Sequence, residues 1–114
     1  MAMGRLKVVF MQEALNFIEE QPQSVGDKIL DNIHRIEKGE QNVKLFKKLV
    51  GTHIWEFRTH YRGIQYRLFA FWDTESEALV IATHGIVKKT QKAPSREIAR
   101  AEKIRQEYFK EKQK

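Results

Sequence analysis

The chain has 114 residues, which suits one domain with a single modest core. It has no cysteine, which excludes disulfides, thiolate catalysis and cysteine-held zinc. It also lacks both the ~20-residue apolar run of a membrane helix and the apolar segment of a signal peptide, so a cytoplasmic location is expected. The net charge is +6, and the whole positive excess lies past residue 43, where a polyanion would be drawn.

Leu6 to Phe10 reads as a first strand. Gln12 to Glu20 places Ala14, Leu15, Phe17 and Ile18 on one side of a short helix. A break at 21–24 contains Pro22, and Val25 to Lys38 then repeats apolar residues at Val25, Ile29, Ile33 and Ile36, a helical stripe. Gly39 fits a helix stop, and 40–50 reads as a loop. His53–Thr59, Ile64–Trp72 and Leu79–Val87 read as three strands with short connections, so an antiparallel meander is expected. The middle strand is apolar on both faces and belongs in the sheet centre. Ser95 is expected to cap a last helix over 96–112. The order β-α-α-β-β-β-α predicts one α+β domain spanning 1–114: a small antiparallel-rich sheet with helices packed on one face.

Arg67 interrupts that central strand, and a charge there must be paired or face an open groove. One reading is an ion pair with Glu56 on the neighbouring strand. The other is a phosphate ligand, because a guanidinium matches phosphate oxygens two at a time. The strand period of two puts Glu56 and Arg58 on one face and Trp55 and Phe57 on the other. Arg58 and Arg62 flank the first hairpin, and Lys44, Lys47 and Lys48 precede it. Each is by default a solvated charge, and together they attract a polyanion. Trp55, Trp72, Tyr61 and Tyr66 have the surface to stack on bases, but aromatics in a small sheet more often fill the core. His34, His53, His60 and His84 show no metal-ligand spacing, and no cofactor fingerprint occurs. His84 and Gly85 close the third strand of the meander, followed by Lys88, Lys89 and Lys92. This run is either a phosphate clamp with a nearby proton carrier or a solvated charge cluster.

Several pieces then combine in order: Leu45 to Gly51, Ile54-Trp55-Glu56-Phe57-Arg58, Tyr66-Arg67-Leu68, His84 through Pro94, and Glu97 to Ala101. Over nearly the whole chain they resemble the RelE/ParE toxin superfamily, and within it the phage-derived HigB-like branch. The resemblance implies the toxin of a type II toxin–antitoxin pair, a ribosome-dependent mRNA endonuclease that blocks translation. The implied chemistry needs no metal: the ribose 2′-OH attacks the adjacent phosphate and leaves a cyclic phosphate. Arg58, Arg67, Lys88 and Lys89 match the family's cationic positions, while Lys47, Lys48, Arg62 and Lys92 would bind RNA. RelE itself uses a C-terminal tyrosine and some HigB toxins a histidine near the C-terminus; neither stands just after Pro94 here, and Tyr108 lies far along the last helix. Proton transfer therefore falls to a lysine of lowered pKa or to His84. The implied partners are a helix-turn-helix antitoxin of the HigA kind, mRNA and the ribosome, with operator DNA reached only through the antitoxin. Two alternatives use the same fold: a ParE-like gyrase inhibitor, and a decayed toxin that binds RNA or protein without turnover.

Overall fold

A computed structural model of the chain describes residues 5–89 and 94–114. Its elements are β1 (Lys7–Phe10), α1 (Gln12–Glu20), α2 (Gln23–Glu37), β2 (Phe46–Lys48), β3 (Trp55–Tyr61), β4 (Ile64–Trp72), β5 (Leu79–Lys88) and α3 (Ser95–Lys112). The fold is the expected small α+β domain, with β4 in the middle of a five-stranded sheet ordered β1-β5-β4-β3-β2. The meander β3-β4-β5 is antiparallel, whereas β1 joins the far edge parallel to β5. A parallel neighbour needs a long crossover, and the α1–α2 pair begins it.

Four details differ from expectation. The helices do not share one face. α1 and α2 cover the face of Val8, Phe57, Leu68 and Val80, while α3 covers Phe69, Phe71 and Ile81 on the opposite face. The apolar residues on both faces of β4, Tyr66, Leu68 and Ala70 against Phe69 and Phe71, already implied cover on both sides. The loop over 40–50 contains β2, whose three residues pair antiparallel with β3. Two of those three residues are lysines, so no hydrophobic alternation marks the strand. Ser95 is the first residue of α3, not its cap; Pro94 occupies that position and no side chain caps the end. Finally, β5 runs one residue past the expected end, to Lys88, and His84 lies within it and not at its close.

The β3–β4 hairpin closes on Arg62 and Gly63, both at positive φ (51° and 82°). That pair of left-handed residues makes the two-residue turn whose twist matches antiparallel strands. It fixes the register Arg58↔Arg67 and His60↔Gln65, on which the site depends. The aromatics join the core as the commoner reading expected: Tyr66 is buried, and Trp55 and Trp72 pack against the helical face. Phe46 stacks on Trp55 and Phe57 at centroid distances of 4.7 and 4.3 Å, which anchors β2.

Candidate functional site

The α3 face of the sheet is organised in cross-strand rows. Lys47, Glu56, Phe69 and His84 form the first, Arg58, Arg67 and Ile86 the second, and His60, Gln65 and Lys88 the third. α3 packs beside the first row. The second and third rows lie towards the hairpin and hold the positive charge.

Arg67 faces Glu56, the partner that the ion-pair reading gave it. Glu56 and Arg67 are almost fully buried, and their Oε1 and Nε atoms lie 3.4 Å apart. The other Glu56 oxygen lies 3.4 Å from Arg58 Nε. One buried carboxylate thus separates two arginines that stand opposite each other across the strands. The pair attracts by charge, but its geometry is not that of a hydrogen bond. Glu56 Oε1 and Arg67 Nε have no hydrogen-bond partner among the described residues. Arg67 Nη1 donates to Gln65 Oε1 at 3.0 Å and to the Tyr66 carbonyl at 3.3 Å. The guanidinium is therefore held buried, across the strands from Arg58, which remains partly exposed.

Lys88 stands at the rim. Burial, followed by the charge of Arg67, pushes its ammonium below the ordinary lysine range; Arg58 adds to the effect and Glu56 opposes it. Burial also lowers the Arg67 pKa against the attraction of Glu56, yet a guanidinium stays protonated at any working pH.

The remaining candidates divide. Lys47 pairs with Glu56 and shares the cationic face, whereas Lys48 pairs with Trp55 and belongs to the other face. Arg62 sits at the hairpin tip, its guanidinium 5.4 Å from the centre of the Tyr61 ring. Lys89 is exposed just beyond β5. Lys92 lies outside the described residues. His84 departs most from expectation. Its side chain is 3% exposed, Nε2 lies 3.0 Å from Glu97, and Nδ1 lies 2.9 Å from the Thr83 hydroxyl. A neutral ring that donates from Nε2 and accepts at Nδ1 satisfies both contacts. Burial and then the charge of Arg100 push its pKa down. The ring clasps the start of α3 from inside the fold.

Tyr108, the last tyrosine of the chain, donates to Asp73 at 2.6 Å, and burial with that bond raises its pKa. It is tied to the far end of β4, away from Arg67. Among the described residues no group of three or more His, Asp or Glu side chains is placed to hold a metal ion. A hollow of about 390 Å³ beside the end of α2 is lined by Phe46, Trp55 and Trp72 and by no cation, so it does not suit a phosphate. Sequence reading overlooked Gln65 and the row it shares with His60 and Lys88. The two-residue turn and the strand period would have found both once the hairpin register was fixed.

The sequence model of the family described as phage derived protein Gp49-like (DUF891) matches residues 16–106. The chain belongs to that family. The Gp49-like family lies within the RelE/ParE-like superfamily of toxin–antitoxin toxins, whose Gp49-like members are generally endoribonucleases, and membership implies an antitoxin partner. No curated protein matches the chain. The Gp49-like match covers every row of the cationic face and most of α3. Among the described residues, no helix is long and apolar enough to cross a membrane.

Proposed function

We propose that the protein is a toxin that cuts mRNA on the ribosome in the cytoplasm and is held inactive by a helix-turn-helix antitoxin of the HigA kind. The observation that carries this reading is the Arg58–Glu56–Arg67 arrangement with Lys88 at its rim. A phosphodiester laid across these rows meets Arg58 and Lys88 at the surface and the buried Arg67. Charge that builds on the phosphate oxygens during attack meets guanidinium groups whose positions are already set, so little reorganisation accompanies the reaction. Lys88, with its lowered pKa, removes the 2′-OH proton. Lys47, Lys89 and Arg62 add attraction along the RNA backbone. His84 supports α3 instead of meeting substrate.

Induction followed by primer-extension mapping of cellular mRNA tests the reading. Wild type is expected to give discrete cuts that appear only when ribosomes are present. Arg67→Ala is expected to abolish them and also to cost about 3 kcal/mol of stability, because it strands buried Glu56. Arg67→Lys keeps the buried charge and separates the two effects: it folds more stably than the alanine variant yet still cuts poorly, having lost the planar fork. Undiminished cutting by Arg67→Ala would sink the assignment, and intact transcripts with altered DNA supercoiling would favour gyrase as the target.

A further inference from the structure

A 2′-OH attack needs two proton carriers, because the base that takes the 2′ proton is on the wrong side to protonate the departing 5′-oxygen. Tyr108 and His84 are both tied to other groups within the fold. Resting on the nuclease reading above, the geometry points to His60 as the general acid that protonates the 5′-oxygen leaving group.

His60 lies on β3 two residues before the Arg62–Gly63 turn and is exposed. Its face is fixed by its neighbours. Thr59 accepts a hydrogen bond from Asn32 of α2, so His60 points to the opposite side, that of Glu56 and Arg58. Its cross-strand partner is Gln65, and the partner of Gln65 on the next strand is Lys88. His60 and Lys88 therefore stand at the two ends of one row. Two strand spacings put their backbones about 10 Å apart. Between them Gln65 holds the Arg67 guanidinium. A phosphate above Arg67 would then have an amine on one side and an imidazole on the other, as displacement along a line requires. His34 lies on α2, His53 precedes β3, and the His84 ring is closed. His60 is thus the imidazole placed on the cationic face and open to solvent.

The step balances. Neutral Lys88 takes the 2′-OH proton while the O2′–P bond forms. The P–O5′ bond breaks, its electron pair passes to O5′, and O5′ takes the proton of protonated His60. The products are a 2′,3′-cyclic phosphate and a 5′-hydroxyl, and solvent exchange resets both side chains.

The test compares wild type, His60→Gln and Lys88→Arg on ribosomes programmed with two synthetic mRNAs. One is ordinary RNA, and in the other sulfur replaces O5′ at the cut. A thiolate leaves without a proton, so it needs no acid. On ordinary mRNA, His60→Gln is expected to cut on the order of 100-fold more slowly than wild type. On the sulfur substrate it should approach the wild-type rate. Lys88→Arg should be slow on both. Two outcomes overturn the assignment while leaving the nuclease reading in place: a wild-type rate for His60→Gln on ordinary mRNA, or an equal loss on both substrates. Wild type that cuts neither mRNA overturns the nuclease reading, and the role of His60 falls with it.

Discussion

At the scale of single residues, the site depends on one buried carboxylate. Arg58 and Arg67 face each other across β3 and β4, and without Glu56 their charges would repel in a poorly hydrated setting. Glu56 holds them together and also opposes part of the lowering of Lys88. The groups that act on Lys88 come from two strands, Arg67 on β4 and Glu56 with Arg58 on β3. Lowering the amine pKa enlarges its neutral fraction near pH 7, which is the form a base requires. On the mRNA with sulfur in place of O5′, which needs no acid, cleavage by wild type should therefore rise with pH as Lys88 loses its proton, along a limb that lies below the ordinary lysine value of about 10.4. Lys88→Arg keeps the charge but cannot give up a proton. We expect it to bind RNA with wild-type affinity, to cut on the order of 100-fold more slowly, and to lose that limb. A single-turnover pH series on ribosomes measures all three. An arginine variant that retains both rate and limb would show that the base lies elsewhere.

At the scale of elements, α3 is held by the packing of Ile98, Ala101, Tyr108 and Phe109 on the sheet and by polar clasps at both ends. Ala101 is the one residue of α3 that is buried, among those described. Its start is held by Glu97 against His84 and by Arg100 against Glu13. Its end is held by Tyr108 and Lys112, which both donate to Asp73 at 2.6 Å. Burial alone would raise the Asp73 pKa, but the bonds from Lys112, Tyr108 and the Glu75 backbone outweigh it and hold the pKa at about 2. A depressed carboxylate contributes stability above its unfolded pKa and loses that contribution as pH falls. The window here runs from about 4 down to about 2, and the amount is about 2 kcal/mol. Denaturant melts across that range should show the loss in wild type. Asp73→Asn should lack it, being less stable already at pH 7 and flatter below pH 4. A parallel pH dependence in the variant would assign the acid sensitivity to other groups. The outline of α3 was readable from its spacing of Ile98, Ala101, Ile104 and Tyr108, and the meander from its two strand-rich runs and short turns. The face that α3 takes was not readable. Glu97, Arg100 and Asp73 tie it down there, charged residues that in sequence look like ordinary solvated ones. β2 was hidden for a related reason: Phe46 alone carries its packing, and its lysines carry no hydrophobic period. The Glu56–Arg67 pair was readable because a charge in an apolar central strand demands a partner. The closure of His84 was not, because a bulge beside Phe69 and the approach of α3 create it.

At the scale of the whole molecule, charge is distributed between two faces of one sheet, and that distribution separates neighbouring lysines. Lys47 and Lys48 are adjacent, equally charged and both exposed. Composition gives them the same role, but register does not: Lys47 pairs with Glu56 on the cationic face, and Lys48 with Trp55 on the face of α1 and α2. An RNA strand on Arg58 and Lys88 runs within reach of the first and on the far side of the sheet from the second. Each phosphate neutralised by a cation releases counterions, so removing one contact flattens the dependence of log affinity on log salt by about 0.7 for single-stranded RNA. Lys47→Ala should therefore weaken binding to a non-cleavable 2′-O-methyl RNA and reduce the slope by about that amount. Lys48→Ala loses the same net charge but should leave the slope nearly unchanged. Net charge alone, acting at long range, would lower affinity equally in both variants, and salt would screen that effect beyond a Debye length of about 10 Å at 0.1 M. Fluorescence-anisotropy titrations at several salt concentrations distinguish these outcomes. Equal slopes for the two variants would mean that RNA does not follow the Arg58–Arg67 face.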